Sequence, residues 1–224
     1  MFSQQPVKIK HVNNYDFIRF CAASLVLFSH HYTLVGNKGP EPSFFGLNTL
    51  GGLAVSIFFT LSGYLITQSW FADPHPVRFA IRRVLRIWPA LIFVTLLSAL
   101  ALGPWISTLS VSRYFKHEAV WQFFKTIIMQ PAYHLPGVFQ TNALPAVNGS
   151  LWTIPYEVLC YLLIIAAGWV GVLGSRETAA RAALLYILWY SLFLSPDATG
   201  KMHHTFEMIA YFMAGAFLFA THSS

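Results

Sequence analysis

The sequence carries few charged residues for its length. Lys and Arg number 14 and Asp and Glu number 8 among 224 residues, while 56% of residues are hydrophobic. A soluble domain of this size has roughly a quarter of its residues charged, because its surface faces water. The shortage excludes a soluble globular fold and a disordered chain, and it predicts an integral membrane protein whose apolar surface faces lipid.

Cysteine is almost absent. Only Cys21 and Cys160 occur, and both lie in apolar stretches. Two such cysteines exclude a disulfide-rich scaffold, and we expect each to be a small buried hydrophobic side chain rather than a reactive thiol.

Acidic residues are fewer than basic ones, which leaves a net charge of +6. In a soluble protein this excess would suggest a nucleic-acid partner, but in a membrane protein Lys and Arg first set the topology. We therefore expect membrane lipid, and no nucleic acid, as a partner. The sequence does not predict an oligomeric state.

Long apolar runs predict a fold that is all-α, a polytopic transmembrane helix bundle. A helix needs about 20 residues to cross the hydrocarbon core, so the chain has room for about six spans. The segment 120–129 is apolar but too short to cross, which predicts a re-entrant or interfacial helix. The predicted spans are residues 17–36, 45–70, 90–106, 151–173, 179–194 and 206–220.

The distribution of basic residues predicts the orientation. With the N-terminus inside, the inner segments hold eight Lys and Arg and the outer segments five. This bias favours a cytoplasmic N-terminus. Together with the lack of a recognisable cleavable signal, it suits a bacterial inner membrane. The inner set is Lys8, Lys10, Arg78, Arg82, Arg83, Arg86, Arg176 and Arg181.

Two ionisable residues share one face of the first predicted span. Arg19 and His30 are eleven residues apart, which is about three helical turns and about 16 Å along the axis. Ionisable side chains inside a span are costly, so they are candidates for function. The structural alternatives are a packed histidine for His30, and snorkelling or an ion pair with Asp16 for Arg19.

Glu157 is the predicted carboxylate partner of His30. It lies six residues into the fourth span, about 9 Å from the outer boundary, and His30 lies equally far from the outer end of the first span. A carboxylate at that depth can orient an imidazole and hold it as a base near neutral pH. A hydrogen bond within the bundle is the alternative for Glu157, and Glu207 is the second candidate for the partner.

A basic cluster opens the third span. Topology or lipid contact explains such charges, but guanidinium groups also match phosphate geometry and can form an anionic-ligand site. Arg83 and Arg86 are one turn apart and can hold one phosphate between them. The candidate residues are Arg82, Arg83 and Arg86.

The pair Ser62 and Gly63 lies within the second span. Glycine has no side chain, so another helix or a ligand can approach the backbone closely there. We favour close helix packing at Gly63, because no base for Ser62 is evident from the sequence.

Several distinctive strings follow one another along about the first 160 residues. They are YDFIR at 15–19, Arg19 followed by ten residues and His30, IFFTLSGYLI at 57–66, RRVLRIWP at 82–89 and SLWTIPYE at 150–157. Together they resemble the membrane-bound acyltransferase-3 family, which O-acylates sugars and other extracytoplasmic polymers. The family has about ten spans, so residues 1–224 resemble a single integral-membrane domain that is C-terminally truncated.

The resemblance implies transfer of an acyl group from cytoplasmic acyl-CoA, with acetyl-CoA expected, to a hydroxyl of a carbohydrate acceptor outside. It implies that His30 is the base or acyl relay, Arg19 its motif partner and Glu157 a supporting acid or base. No metal is expected. The alternatives are a truncated non-catalytic membrane subunit and a proton-coupled transporter component. The implied contacts for the CoA phosphates are Arg82, Arg83 and Arg86.

Overall fold

The computed structural model describes residues 14–34, 41–46, 48–194 and 201–222. Lys8, Lys10 and Lys38, which enter the orientation count, lie outside these residues. The chain is mostly helical. The α-helices are α1 (Tyr15–Leu34), α2 (Leu50–Ala72), α3 (Pro76–Leu96), α4 (Gly103–Ile106), α5 (Val111–Lys116), α6 (Glu118–Phe123), α7 (Ile154–Trp169), α8 (Arg176–Phe193) and α9 (Lys201–Thr221).

Three helical runs are long and apolar enough to cross a membrane. They are α2, the run Pro76–Ile106 that contains α3 and α4, and the run Gly149–Trp169 that contains α7. They match the second, third and fourth predicted spans and confirm the expected class of helical membrane protein. The helices α1, α8 and α9 cover the remaining three predicted spans with 20, 18 and 21 residues. A total of about six spans stays a prediction.

A small hairpin precedes α2. Strand β1 (Ser43–Phe44) pairs antiparallel with β2 (Asn48–Thr49). The expected start of the second span at residue 45 is therefore wrong. The helix begins at Leu50 because the Thr49 side chain accepts a hydrogen bond from the Gly52 N–H and caps the first turn.

The arginine-rich segment and the third span form one continuous helical run. His75 caps α3 by accepting from the Arg78 N–H, and Pro76 occupies the first turn, where a missing N–H costs nothing. After α3 the chain forms a π-helical segment, Leu97–Leu102. The Tyr114 hydroxyl donates to the Ala99 carbonyl of this segment at 2.9 Å, and burial raises the pKa of Tyr114 to about 12.

The predicted short helix at 120–129 is present as α6 followed by the 3-10 turn Phe124–Ile128. It ends at Met129, whose φ of 64° is left-handed. Together with α5, this segment forms its own small core around Tyr114, Val120 and Phe123. Its position relative to the bilayer stays a prediction.

Helix α2 packs against α1, α7 and α9. A Cβ atom on Gly63 would overlap the Phe212 carbonyl oxygen of α9, and one on Gly215 would overlap the Thr60 carbonyl oxygen of α2. The two backbones therefore touch, which confirms the predicted close packing at Gly63. Cys160 is buried in the main core as predicted, whereas Cys21 is exposed and the prediction for it is wrong.

Candidate active site

His30 lines a cavity at one end of the bundle. The cavity has a volume of about 330 Å³ and is enclosed by α1, the start of α2, the turn before α7, and α9. A smaller adjoining cavity of about 180 Å³ also includes His30 and Trp152. We call the 330 Å³ cavity the His30 cavity. Its polar residues are Ser29, His30, Asn48, Thr49, Trp152, His204 and Glu207.

The contact of α1 with α2 shapes this cavity. Gly51 lies so close to α1 that a Cβ atom there would overlap the Ser29 hydroxyl. Glu41 accepts hydrogen bonds from the Ser29 hydroxyl and from the Gly51 N–H, the latter at 3.3 Å. Glu41 therefore joins the hairpin segment to the ends of both helices beside His30.

The carboxylate in the His30 cavity is Glu207. Its Oε1 accepts a hydrogen bond from the Tyr211 hydroxyl at 3.3 Å, and its Oε2 lies 3.4 Å from Nδ1 of His204. The side chain is only 23% exposed. The structure thus brings His30 together with the second candidate for its partner.

Glu157 lies in a different environment. It accepts a hydrogen bond from the Tyr161 hydroxyl one turn along α7, and it is not among the residues lining the His30 cavity. Glu157 lies in the first turn of α7, and its depth below the outer boundary stays a prediction. A direct role beside His30 stays a prediction.

Arg19 forms an ion pair with Asp16 on α1, with 3.5 Å between Nη1 and Oδ1. This ion pair is one of the structural roles that the sequence suggests for Arg19 as an alternative to a catalytic one. Arg19 and His30 lie on the same helix, and Arg19 does not line the His30 cavity. Its role as the motif partner of His30 stays a prediction.

The other end of α2 carries the arginine cluster. Asp73 accepts hydrogen bonds from Arg78 at 2.5 and 3.0 Å and from Arg82 at 2.8 Å. These guanidinium groups hold the pKa of Asp73 well below its usual range. Part of the positive charge of Arg82 is therefore already compensated by a carboxylate.

Arg83 points inward from α3. Its Nη2 donates to the Ser69 hydroxyl at 2.8 Å, and its guanidinium carbon lies 5.2 Å from the Phe79 ring and 5.7 Å from the Tyr161 ring. The buried Nε–H of Arg83 has no hydrogen-bond partner in the part of the chain that the structure describes. Arg86 is exposed. No described carboxylate forms an ion pair with Arg83 or Arg86.

The His30 cavity and the arginine cluster are far apart. Gly52 lines the cavity, and Ser69 contacts Arg83; these two residues of α2 are 17 positions apart, or about 25 Å along the axis. Glu157 and Tyr161 lie on α7, and Tyr161 contacts Arg83. Tyr161 therefore links Glu157, through their hydrogen bond, to Arg83 at the arginine end of the bundle.

Residues 12–222 match the acyltransferase domain family. The chain belongs to this family. The chain is 41% identical over 153 residues to an O-acetyl transferase of Shigella phage Sf6, an alignment that covers 67% of this chain and 44% of the phage protein. It is 28% identical over 163 residues to Nodulation protein 10 of Rhizobium leguminosarum bv. viciae, covering 69% and 43%.

The chain spans less than half of the length of these curated relatives. No solved structure matches it. The family that the sequence strings suggest is thus confirmed. Within the described ranges, no group of three or more His, Cys, Asp or Glu is arranged to hold a metal ion.

His204 was missing from the residues predicted from sequence. The sequence predicts a sixth span that begins at residue 206 and a loop at His204, whereas α9 begins at Lys201. The signal that was available is its spacing of three residues from Glu207, which places both side chains on one helix face. Trp152 occurs in one of the family strings, but nothing in the sequence assigns it to a cavity wall.

Proposed function

We propose that this protein transfers an acyl group, acetyl in the first instance, from acyl-CoA to a hydroxyl of an extracytoplasmic glycan or cell-envelope polymer. Membership of the acyltransferase family and the similarity to an O-acetyl transferase support acyl transfer. The observation that carries the proposal is the cavity that holds His30 and Glu207 together. It supplies a base and a carboxylate in a space large enough for a reacting group.

In the proposed reaction, the neutral imidazole of His30 removes the proton from the acceptor hydroxyl. The acceptor oxygen attacks the thioester carbonyl, the carbon–sulfur bond breaks, and the CoA thiolate leaves and takes up the proton. We assign to Glu207 the stabilisation of the protonated ring, because it lines the same cavity. Glu157 is the supporting acid or base on α7, where its hydrogen bond from Tyr161 links it to the arginine end, and Arg19 supports the face of α1 that carries His30.

We assign the CoA phosphates to the arginine cluster. Arg83 and Arg86 are basic groups with no carboxylate partner among the described residues, and the Nε–H of Arg83 is an unused donor. Phosphate oxygens would satisfy these donors. Arg82 contributes less, because Asp73 already pairs with it.

The separation of the two sites fits transfer across a membrane. With the N-terminus cytoplasmic in a bacterial inner membrane, the arginine cluster faces the cytoplasm and the His30 cavity lies in the outer half. Since about 25 Å of α2 separates them, the acyl group must travel along the bundle. An extended pantetheine arm can carry it.

The proposed function is tested with the full chain in nanodiscs, by measuring CoA release from acetyl-CoA with an envelope polysaccharide extract as acceptor. We expect His30→Ala to lower the rate by about 10²–10⁴-fold, the usual contribution of a general base. His31→Ala is the matched control, since His31 is the exposed neighbour on the same helix. Equal rates for His30→Ala and the wild type would overturn the assignment.

Two alternatives predict different results, one in the nanodiscs and one in sealed vesicles. A non-catalytic subunit would insert normally and release no CoA. A proton-coupled transporter component would use the titratable groups of the cavity as a relay. It would then conduct protons in sealed vesicles that contain no acyl-CoA.

A further inference from the structure

A larger cavity lies beside the His30 cavity and has no role in the reaction proposed above. Its volume is about 660 Å³, within the range of small-molecule sites. It is formed by the segment from α6 to residue 133, the start of α7, and Thr205 of α9. Its polar and aromatic lining includes Gln122, Lys125, Gln130, Tyr133, Trp152 and Tyr156.

Trp152 separates this cavity from His30. The indole lines both cavities, and its ring makes edge contacts with His204 at 6.1 Å and with Tyr156 at 5.8 Å between centroids. His204 belongs to the His30 cavity, and Tyr156 belongs to the larger one. A molecule in the larger cavity therefore lies against the wall of the His30 cavity.

The lining of the larger cavity combines aromatic rings with hydrogen-bond donors. The rings of Trp152, Tyr133 and Tyr156 offer flat apolar faces, and amide and hydroxyl groups lie among them. Burial, with the nearby Tyr156, raises the pKa of Tyr133, so its hydroxyl remains a donor at neutral pH. This combination suits a sugar, whose ring has apolar C–H faces and a rim of hydroxyls.

Lys125 gives the cavity a positive charge. No carboxylate is present among its lining residues, and no described ion pair includes Lys125. Gln122 is held in place by a hydrogen bond to Glu118 at 2.5 Å. An uncompensated ammonium group favours an acidic group on the ligand over a neutral one.

We propose that this cavity binds the acceptor saccharide, and that Trp152 is the wall across which a bound sugar meets the His30 cavity. The inference rests on the proposed function. It identifies Lys125 and Tyr133 as residues that bind the acceptor. An acidic sugar with its carboxylate beside Lys125 is the preferred ligand.

The test measures saccharide binding to the full chain in nanodiscs without any acyl donor. The probes are two tetrasaccharides, neutral maltotetraose and acidic tetragalacturonate, and binding is followed by ligand-observed NMR. We expect the acidic probe to bind more tightly. Lys125→Gln should weaken the binding of the acidic probe by about tenfold and remove the preference for it over the neutral probe. Tyr133→Phe should weaken the binding of both probes.

Lys116→Gln is the matched control, because Lys116 belongs to α5 and does not line the cavity. Binding by this variant should equal that of the wild type. Failure of both probes to bind, or equal binding by Lys125→Gln, Tyr133→Phe and the wild type, would overturn the proposal. Saccharide binding without any CoA release would support the cavity as a saccharide site and overturn the proposed acyl transfer. Failure of the saccharide site and failure of the proposed function are therefore distinguishable.

Discussion

The two ends of α2 present different kinds of site. The arginine end is local in sequence: Asp73, Arg78 and Arg82 lie within ten positions and form ion pairs at the surface. The His30 end is assembled from α1, α2, the turn before α7 and α9, which are far apart in the chain. Damage to helix packing should therefore destroy the cavity and leave the ion pairs of the arginine end intact.

The largest effect is expected from Gly63→Ala. The added methyl group would overlap a backbone carbonyl of α9, at Phe212, and backbone cannot move aside as a side chain can. We expect the free energy of unfolding to fall by about 1–3 kcal/mol or more. Because α9 supplies Glu207, acyl transfer should be lost as well. Thermal unfolding and CoA release measure the two effects.

Gly174→Ala is the control for this substitution, since a Cβ atom at Gly174 meets nothing within 4 Å. It should leave both stability and activity unchanged. If Gly63→Ala unfolds at the wild-type temperature, the backbone contact between α2 and α9 does not hold the cavity together.

The next effect distinguishes the two carboxylates. Glu207→Gln should lower kcat by about 10²-fold or more, because it removes the charge from the His30 cavity. Glu157→Gln keeps a hydrogen-bond acceptor for Tyr161 and should lower kcat less. The measurement is the rate of CoA release at saturating acetyl-CoA. If Glu157→Gln lowers kcat more than Glu207→Gln does, Glu157 is the carboxylate partner of His30, as the sequence alone predicts.

The sequence predicts what depends on local pattern. Apolar runs located α2, the third span and α7, and the strings around His30 and the arginines identified the family. Depth along a helix does not fix which face meets which neighbour, so counting residues favours Glu157 but cannot show which side chains line the His30 cavity. That Glu207 lines it depends on how α9 packs against α2 at Gly63 and Gly215, and the sequence does not identify the two helices that meet there.

A smaller effect, on acetyl-CoA affinity, distinguishes the roles of Arg83 and Arg86. Arg86→Gln removes an exposed charge without a described ion-pair partner, so we expect acetyl-CoA to bind about tenfold more weakly with stability unchanged. Arg83→Gln should weaken binding and also lower stability, because Arg83 bonds Ser69 and lies on two aromatic rings. Calorimetric titration and thermal unfolding report these results. If both variants bind acetyl-CoA with wild-type affinity, the arginine cluster does not bind CoA and serves only to set topology or to contact lipid.

The smallest effect concerns Asp73 and pH. Its pKa is lowered in the folded protein by hydrogen bonds from Arg78 and Arg82, so the ion pairs stabilise the fold fully above the ordinary value of about 3.9. This stabilisation is lost as the pH falls through the lower folded pKa, because the carboxylate then gains a proton. Exposed pairs contribute little, so Asp73→Asn should shift Tm at pH 7 by at most about 2 °C.

The informative measurement is the difference in Tm between wild type and Asp73→Asn at neutral and at strongly acidic pH. That difference should shrink as the pH falls. At pH 7 and saturating acetyl-CoA, CoA release should stay near the wild-type rate, since the His30 cavity contains no part of this network. Asp16→Asn is the control, because Asp16 forms a single ion pair with Arg19 at 3.5 Å. A difference that is constant with pH would mean that the arginine end is held by contacts other than the ion pairs of Asp73, such as that of the Arg83 guanidinium with the Phe79 ring.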